Sequence, residues 1–157
     1  MKRIDAIQKI MQDVTNEFVI ASCGMISREV YFVRDRPENF YVMGSMGAAV
    51  GVGIGLALNI ERRVLVIAGD GEVLMSLGTL VLMNKLKLSN LRVSILDNNI
   101  YQTTGGQKTC SNAIDLTQFY GCSVFKIDEE SDFKAPRVGL SHERIAQRFY
   151  DAINSSQ

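Results

Sequence analysis

The stretch Val64–Gln107, VLVIAGDGEVLMSLGTLVLMNKLKLSNLRVSILDNNIYQTTGGQ, decides how the rest of the chain is read. It opens on an apolar run, Val64 to Ala68, rich in β-branched side chains, the pattern of a strand buried on both faces. Gly69-Asp70-Gly71 ends that strand. From Glu72 onward Val73, Leu77, Leu80, Val81 and Met83 fall on roughly helical spacing, and Leu91 to Leu96 reads as a second buried strand. Two strands joined by a helical crossover lie parallel and finish at the same edge of the sheet. Asp70 is thereby brought to Asp97-Asn98-Asn99, although 28 positions separate Asp70 from Asn98.

Ligands of open α/β sheets bind at the carboxyl ends of strands, where loop amides and helix N-termini converge. A carboxylate there repels a bare pyrophosphate unless a hard cation sits between them. Mg²⁺ fits, because it takes oxygen ligands and is bound by one or two protein groups together with substrate phosphates. Asp70, the amide oxygen of Asn98 and a loop carbonyl near Ile100 form such a set. Two commoner nucleotide patterns are excluded. The dinucleotide fingerprint G-x-G-x-x-G fails at Leu74, and no G-K-S or G-K-T occurs.

Outward from this stretch, 157 residues are read as a single domain, 1–157, with 136–157 as a C-terminal arm and helix. Formal charge is zero and the basic residues are scattered, so no nucleic-acid footprint is indicated. Cys23, Cys110 and Cys122 form no C-x-x-C pair, which argues against a zinc site or disulfide framework and for a cytoplasmic protein. Arg3 to Val14 has the spacing of an amphipathic helix without the features of a secretory signal. Phe18–Ala21 reads as a strand, with a helix beginning near Ser27-Arg28-Glu29. Arg28 is either a surface cation paired with Glu29 or a receptor for an anionic substrate group.

Phe40–Met43 reads as a short strand, and Gly44-Ser45-Met46-Gly47 opens an apolar helix to Asn59. Gly47, Gly51 and Gly55 recur every fourth residue, at a cost of roughly 1 kcal/mol each relative to alanine. The run is shorter than the ~20 residues a membrane span needs, so close approach to a cofactor or a neighbouring helix is the expected compensation. Tyr101–Thr109 reads as a flexible loop able to close over a substrate. Asp115–Tyr120 reads as helix, Ser123–Ile127 as strand, Glu129–Gly139 as irregular, and Ser141–Ala152 as a last helix holding the lone histidine, His142.

Gly-Asp-Gly followed by a little under thirty residues and Asn resembles the cofactor motif of thiamine-diphosphate-dependent decarboxylases. The resemblance covers about Ile4 to Gly121. It is nearest to the branch acting on sulfopyruvate and phosphonopyruvate, through Gly24-Met25-Ile26-Ser27-Arg28-Glu29, Phe40 to Gly47, Gly69-Asp70-Gly71, Leu96-Asp97-Asn98 and Thr104-Gly105-Gly106-Gln107. It implies an α/β, three-layer doubly wound, mainly parallel sheet of the thiamine-diphosphate-binding fold, in its diphosphate-binding domain. It also implies thiamine diphosphate with Mg²⁺ on Asp70, Asn98 and Ile100. The cofactor would meet Gly44, Ser45, Met46, Gly69, Asp70, Gly71, Glu72, Asn98, Ile100 and Tyr101. Gly44 would offer its carbonyl to the aminopyrimidine, and Met46 would wedge the cofactor into a bent shape, although Met46 also reads as core filler.

Arg28, Thr104 or Lys108 would receive the second anion of a small anionic 2-oxo acid. The glutamate that activates the aminopyrimidine has no counterpart here, which implies a pyrimidine-binding α subunit as partner in a hetero-oligomer. A carboligating relative of acetolactate synthase and a non-catalytic metal-dependent binding module are the alternatives. The family carries a further helix and strand for which there is little room between Ile127 and Pro136.

Overall fold

The computed structural model describes residues 1–129 and 133–155, so the reading of 129–139 as irregular is met only by Glu129 and 133–139, which form no helix or strand. In chain order the elements are α1 (Arg3–Gln12), β1 (Phe18–Ala21), α2 (Met25–Val33), β2 (Asn39–Tyr41), α3 (Ala49–Ala57), β3 (Val64–Gly69), α4 (Asp70–Met75), α5 (Leu77–Leu86) and β4 (Leu91–Asp97). A two-stranded hairpin follows, β5 (Ile100–Tyr101) with β6 (Gln107–Lys108), then two 3₁₀ turns, β7 (Cys122–Lys126) and α6 (His142–Asn154). The main sheet is wholly parallel, in the order β2-β1-β3-β4-β7. The central pair runs in register from Val64 opposite Leu91 to Gly69 opposite Leu96.

Alternation along the strands divides the core into two. Phe18, Ile20, Val64, Val66, Ala68, Leu91, Val93 and Ile95 point to one face and pack under α3, α4 and α5. Val19, Ala21, Ile67 and Leu96 point to the other, under α1 and α2. This is the three-layer, doubly wound α/β arrangement. Helix α6 lies along the β2 edge, with Ile145 in one core and Phe149 and Ala152 in the other. Among the described residues no helix is long and apolar enough to cross a membrane.

Four sequence expectations are corrected by local backbone chemistry. The helix expected from Gly44 begins only at Ala49, because Gly44 (φ +75°) and Gly47 (φ +94°) hold left-handed conformations and make a turn instead. The helix expected from Glu72 is two helices starting at Asp70 and broken at Ser76, where φ is −125°. Asp115–Tyr120 is one 3₁₀ turn, capped by the Asp115 carboxylate accepting from Thr117 N at 2.9 Å. The glycine stripe also has a different basis. A Cβ at Gly53 would meet Val66 Cγ2 at 2.4 Å, so Gly53 lets α3 settle on β3, whereas Gly55 faces open space and Gly51 meets Thr79 Cγ2 at 3.9 Å.

Candidate functional site

From β1 the chain moves outward to β2, then crosses back to β3 on the opposite side of β1. The carboxyl ends of β1 and β3 therefore feed connections that diverge, which is where open α/β sheets bind ligands. A cleft of about 130 Å³ lies there. Cys23, Gly24 and Met25 wall it after β1, Asp70, Gly71 and Glu72 after β3, and Asn98, Ile100 and Tyr101 after β4, with Met46 and Gln102–Thr104 at its rim. Complete small-molecule sites enclose about 300–1,000 Å³, so this cleft has the dimensions of part of one.

Two acids distinguish the cleft. Asp70 is 2% exposed and Glu72 3%. The described residues hold five buried acids, and three face a cation: Glu17 pairs with Arg63 at 2.5 Å, Glu29 with Arg3 at 2.7 Å, and Asp97 with Lys126. Asp70 and Glu72 have only neutral donors. Thr109 Oγ1 donates to Asp70 Oδ2, and the Ala49 amide donates to Glu72 Oε1 at 3.1 Å. Burial holds the Asp70 carboxyl above its ordinary range, the Thr109 hydrogen bond opposes this, and repulsion from Asp97 adds to it. A buried carboxylate without a countercharge is costly, and a bound cation removes the cost.

The surrounding donors suit a hard cation. Asn98 is buried with its Oδ1 turned back to the Ile100 amide at 3.3 Å, and Ile100 follows it on the cleft wall. One carboxylate, one amide oxygen and one backbone carbonyl are the oxygen ligands that Mg²⁺ accepts. No group of three or more His, Cys, Asp or Glu is placed to hold a metal among the described residues, in keeping with a set that includes only one of those types.

Residues missed from sequence brace this arrangement. The hairpin β5–β6 folds Thr109 and Ser111 inward, and both are buried. Ser111 Oγ donates to Asp97 Oδ1 at 2.8 Å, and Lys126 donates to the other Asp97 oxygen. Burial pushes Asp97 up, but these hydrogen bonds and the Lys126 charge bring it below its ordinary range. Gly71 is required by contact: a Cβ there would come within 2.4 Å of the Tyr101 ring. The Glu72 side chain ties the start of α3 to α4, the helix that opens on Asp70.

Of the residues expected at the site, Met46, Gly69, Asp70, Gly71, Glu72, Asn98, Ile100, Tyr101 and Thr104 line the cleft. Gly44 and Ser45 stand in the exposed turn before Met46, and Ser45 borders a separate groove with Met43, Val52 and His142. Arg28 and Lys108 are outside the lining, and Lys108 bonds Glu129 at 2.6 Å. The expected pairing of Arg28 with Glu29 is replaced by Arg3 with Glu29, because Glu29 lies on the buried face of α2 toward α1.

Residues 20–152 match the family described as thiamine pyrophosphate enzyme, C-terminal TPP binding domain. Sulfopyruvate decarboxylase subunit beta of Methanothermobacter thermautotrophicus is 43% identical over 180 aligned residues, spanning 99% of this chain and 97% of that protein. That stretch exceeds the 157 residues of this chain, so the relative carries residues without a counterpart here. The Methanocaldococcus jannaschii protein of the same name is 48% identical over 135 residues, covering 83% of this chain and 71% of its own length. Phosphonopyruvate decarboxylase of Streptomyces viridochromogenes is 42% identical over 115 residues, 73% of this chain but 29% of that protein. With its parallel sheet and its Asp70–Asn98 cleft, the chain belongs to the thiamine pyrophosphate enzyme family as a C-terminal, cofactor-binding domain.

Proposed function

We propose that this chain is the diphosphate-binding subunit of a split thiamine-diphosphate-dependent 2-oxo acid decarboxylase, converting sulfopyruvate to sulfoacetaldehyde and carbon dioxide. The observation that carries the reading is the buried Asp70 carboxylate without a countercharge, set among neutral oxygen ligands at the switch between β1 and β3. The split arrangement is supported by the relatives named sulfopyruvate decarboxylase subunit beta, three of which match over 99%, 83% and 90% of this chain.

Asp70, the Asn98 amide oxygen and the Ile100 carbonyl would hold Mg²⁺ on the diphosphate. The first-turn amides of Gly71 and Glu72 lack intrahelical acceptors and would meet phosphate oxygens. Met46, 40% exposed at the rim, would support the bent cofactor, with Gly44 and Ser45 in the turn beneath it and Tyr101 on the opposite wall. Thiamine diphosphate, when bound, supplies the electron sink for loss of the carboxylate. One proton replaces the departing carbon dioxide at the carbonyl carbon. The Glu72 side chain fixes the Met46 turn through Ala49, and Thr109 fixes Asp70. A pyrimidine-binding α subunit would bring the activating glutamate and the remaining walls of the site.

Phosphonopyruvate is the second substrate reading, favoured by the similarity to phosphonopyruvate decarboxylases. The test is carbon dioxide release from sulfopyruvate, phosphonopyruvate and pyruvate with thiamine diphosphate and Mg²⁺, using this chain alone and then with a co-expressed pyrimidine-binding subunit. Turnover only with the partner, fastest on sulfopyruvate, is the expected result. A complex that binds the cofactor yet releases no carbon dioxide from any of the three contradicts it and points to a binding role, whereas carbon dioxide released without the matching aldehyde points to carboligation.

A further inference from the structure

The substrate of the proposed decarboxylase carries a second anion, and the two cations first suggested for it stand away from the cleft. Among the described lining residues one side chain is cationic, and it comes from the far N-terminus. Arg3, the first residue of α1, reaches the cleft wall and is 7% exposed. We infer that Arg3 is the receptor for the tetrahedral anion, sulfonate or phosphonate, that the substrate carries beyond its 2-oxo acid; the assignment rests on the decarboxylase reading.

The geometry prepares the guanidinium for this. Its Nε and Nη2 donate to the two carboxylate oxygens of Glu29 at 3.0 and 2.7 Å, and Glu29 is fully buried behind it. The pair is a dipole whose acid end is sealed in the protein and whose cationic end borders the cleft. Nη1 donates to Gln102 Oε1 at 2.5 Å. Arginine has five N–H donors, and these bonds use three, leaving one on Nη1 and one on Nη2. A guanidinium with donors to spare can take a tetrahedral oxyanion, and the double anchor to Glu29 means that little rotamer freedom remains to be lost on binding.

Charge arrangement favours the same role. Asp70 and Glu72 make the β3 side of the cleft acidic, which suits a cation. A substrate anion is repelled from that side and drawn to the Arg3 wall, which orients a 2-oxo acid end to end. Stability alone does not call for the pair, since a buried ion pair is commonly no more stabilising than apolar residues of the same volume.

The test compares sulfopyruvate with pyruvate, which has no second anion, on the complex with the pyrimidine-binding partner. In the double variant Arg3→Gln/Glu29→Gln both charges go and no buried charge is stranded. The KM for sulfopyruvate is expected to rise at least tenfold with thiamine diphosphate affinity and pyruvate kinetics unchanged. If the double variant fails to assemble, Arg3→Lys is read the same way, and a smaller rise confined to sulfopyruvate supports the assignment. Equal loss on both substrates, or an unmoved ratio, overturns it. Should the wild-type complex turn over none of the oxo acids, the decarboxylase reading falls. Calorimetry with sulfoacetate then tests Arg3 separately: binding that disappears in the double variant upholds the receptor, and equal or absent binding in both proteins overturns it.

Discussion

The β2 edge of the sheet and the cleft at the ends of β1 and β3 treat their acids in opposite ways: a partly exposed one is paired, and two buried ones are not. At the β2 edge Asp35 accepts from both Arg148 nitrogens, at 2.8 and 2.5 Å, and from the Tyr41 hydroxyl at 2.8 Å, while Asn39 Nδ2 donates to that hydroxyl at 3.1 Å. Phe149 beside it meets Phe18 and Phe40 with ring centroids 5.4 and 5.2 Å away. The charge is closed within the chain, and its effect is to fasten α6. At the cleft Asp70 and Glu72 are far more deeply buried, yet they receive only neutral hydroxyl and amide donors. One edge is finished by folding; the other has a charge that only something from outside the chain can balance.

The comparison breaks first at Glu29, a closed acid. Glu29→Gln strands the Arg3 guanidinium in the interior and is expected to cost about 3 kcal/mol in urea unfolding, the scale of a buried pair that loses one partner. A cost near zero would mean that Arg3 is solvated and the distinction between closed and open acids is false. At the open site, Thr109→Val removes the hydroxyl that donates to Asp70 Oδ2. Mg²⁺-dependent cofactor affinity should fall about tenfold in calorimetry, typical of a lost group behind a metal ligand, with Thr109→Ser restoring most of it.

Arg148→Met should lower stability by about 1 kcal/mol at pH 7, since the pair is partly exposed and screened. Burial alone would raise Asp35, but the Arg148 and Tyr41 hydrogen bonds and the Arg148 charge hold it below 3.8, so its ionised form is the stabilising one. That contribution is complete above the ordinary value and fades as pH falls through the lower folded value. Wild type and variant should therefore converge in acid melts below 3.8. The smallest effect is the most diagnostic. Asp70→Asn should leave the melting temperature of the cofactor-free chain unchanged or slightly higher, because it removes an unbalanced charge and keeps an acceptor for Thr109.

The central unit was legible because parallel strands buried on both faces leave continuous apolar runs, and because Asp70 and Asn98 each follow such a run directly. The brace around them was not. Thr109 and Ser111 lie in a polar, glycine-containing stretch that reads as an outward loop, and only the β5–β6 pairing turns it beneath Asp70. Arg3 reads as the polar start of an amphipathic helix; its burial depends on Glu29, 26 positions away and on another helix. The glycine pattern misled for a related reason, since a stripe of period four drew attention to Gly51 and Gly55 while the contact that matters is at Gly53. Side chains facing the nearest strand could be placed from sequence, and those facing another loop could not.

The most direct measurement is a calorimetric titration of thiamine diphosphate with Mg²⁺ into the complex of this chain and the proposed pyrimidine-binding subunit, for wild type and for Asp70→Asn. Loss of affinity by about a hundredfold or more, with the variant still folded and assembled, is the result expected if the unbalanced carboxylate is the cation's anchor. Undiminished, Mg²⁺-dependent binding by Asp70→Asn would contradict it.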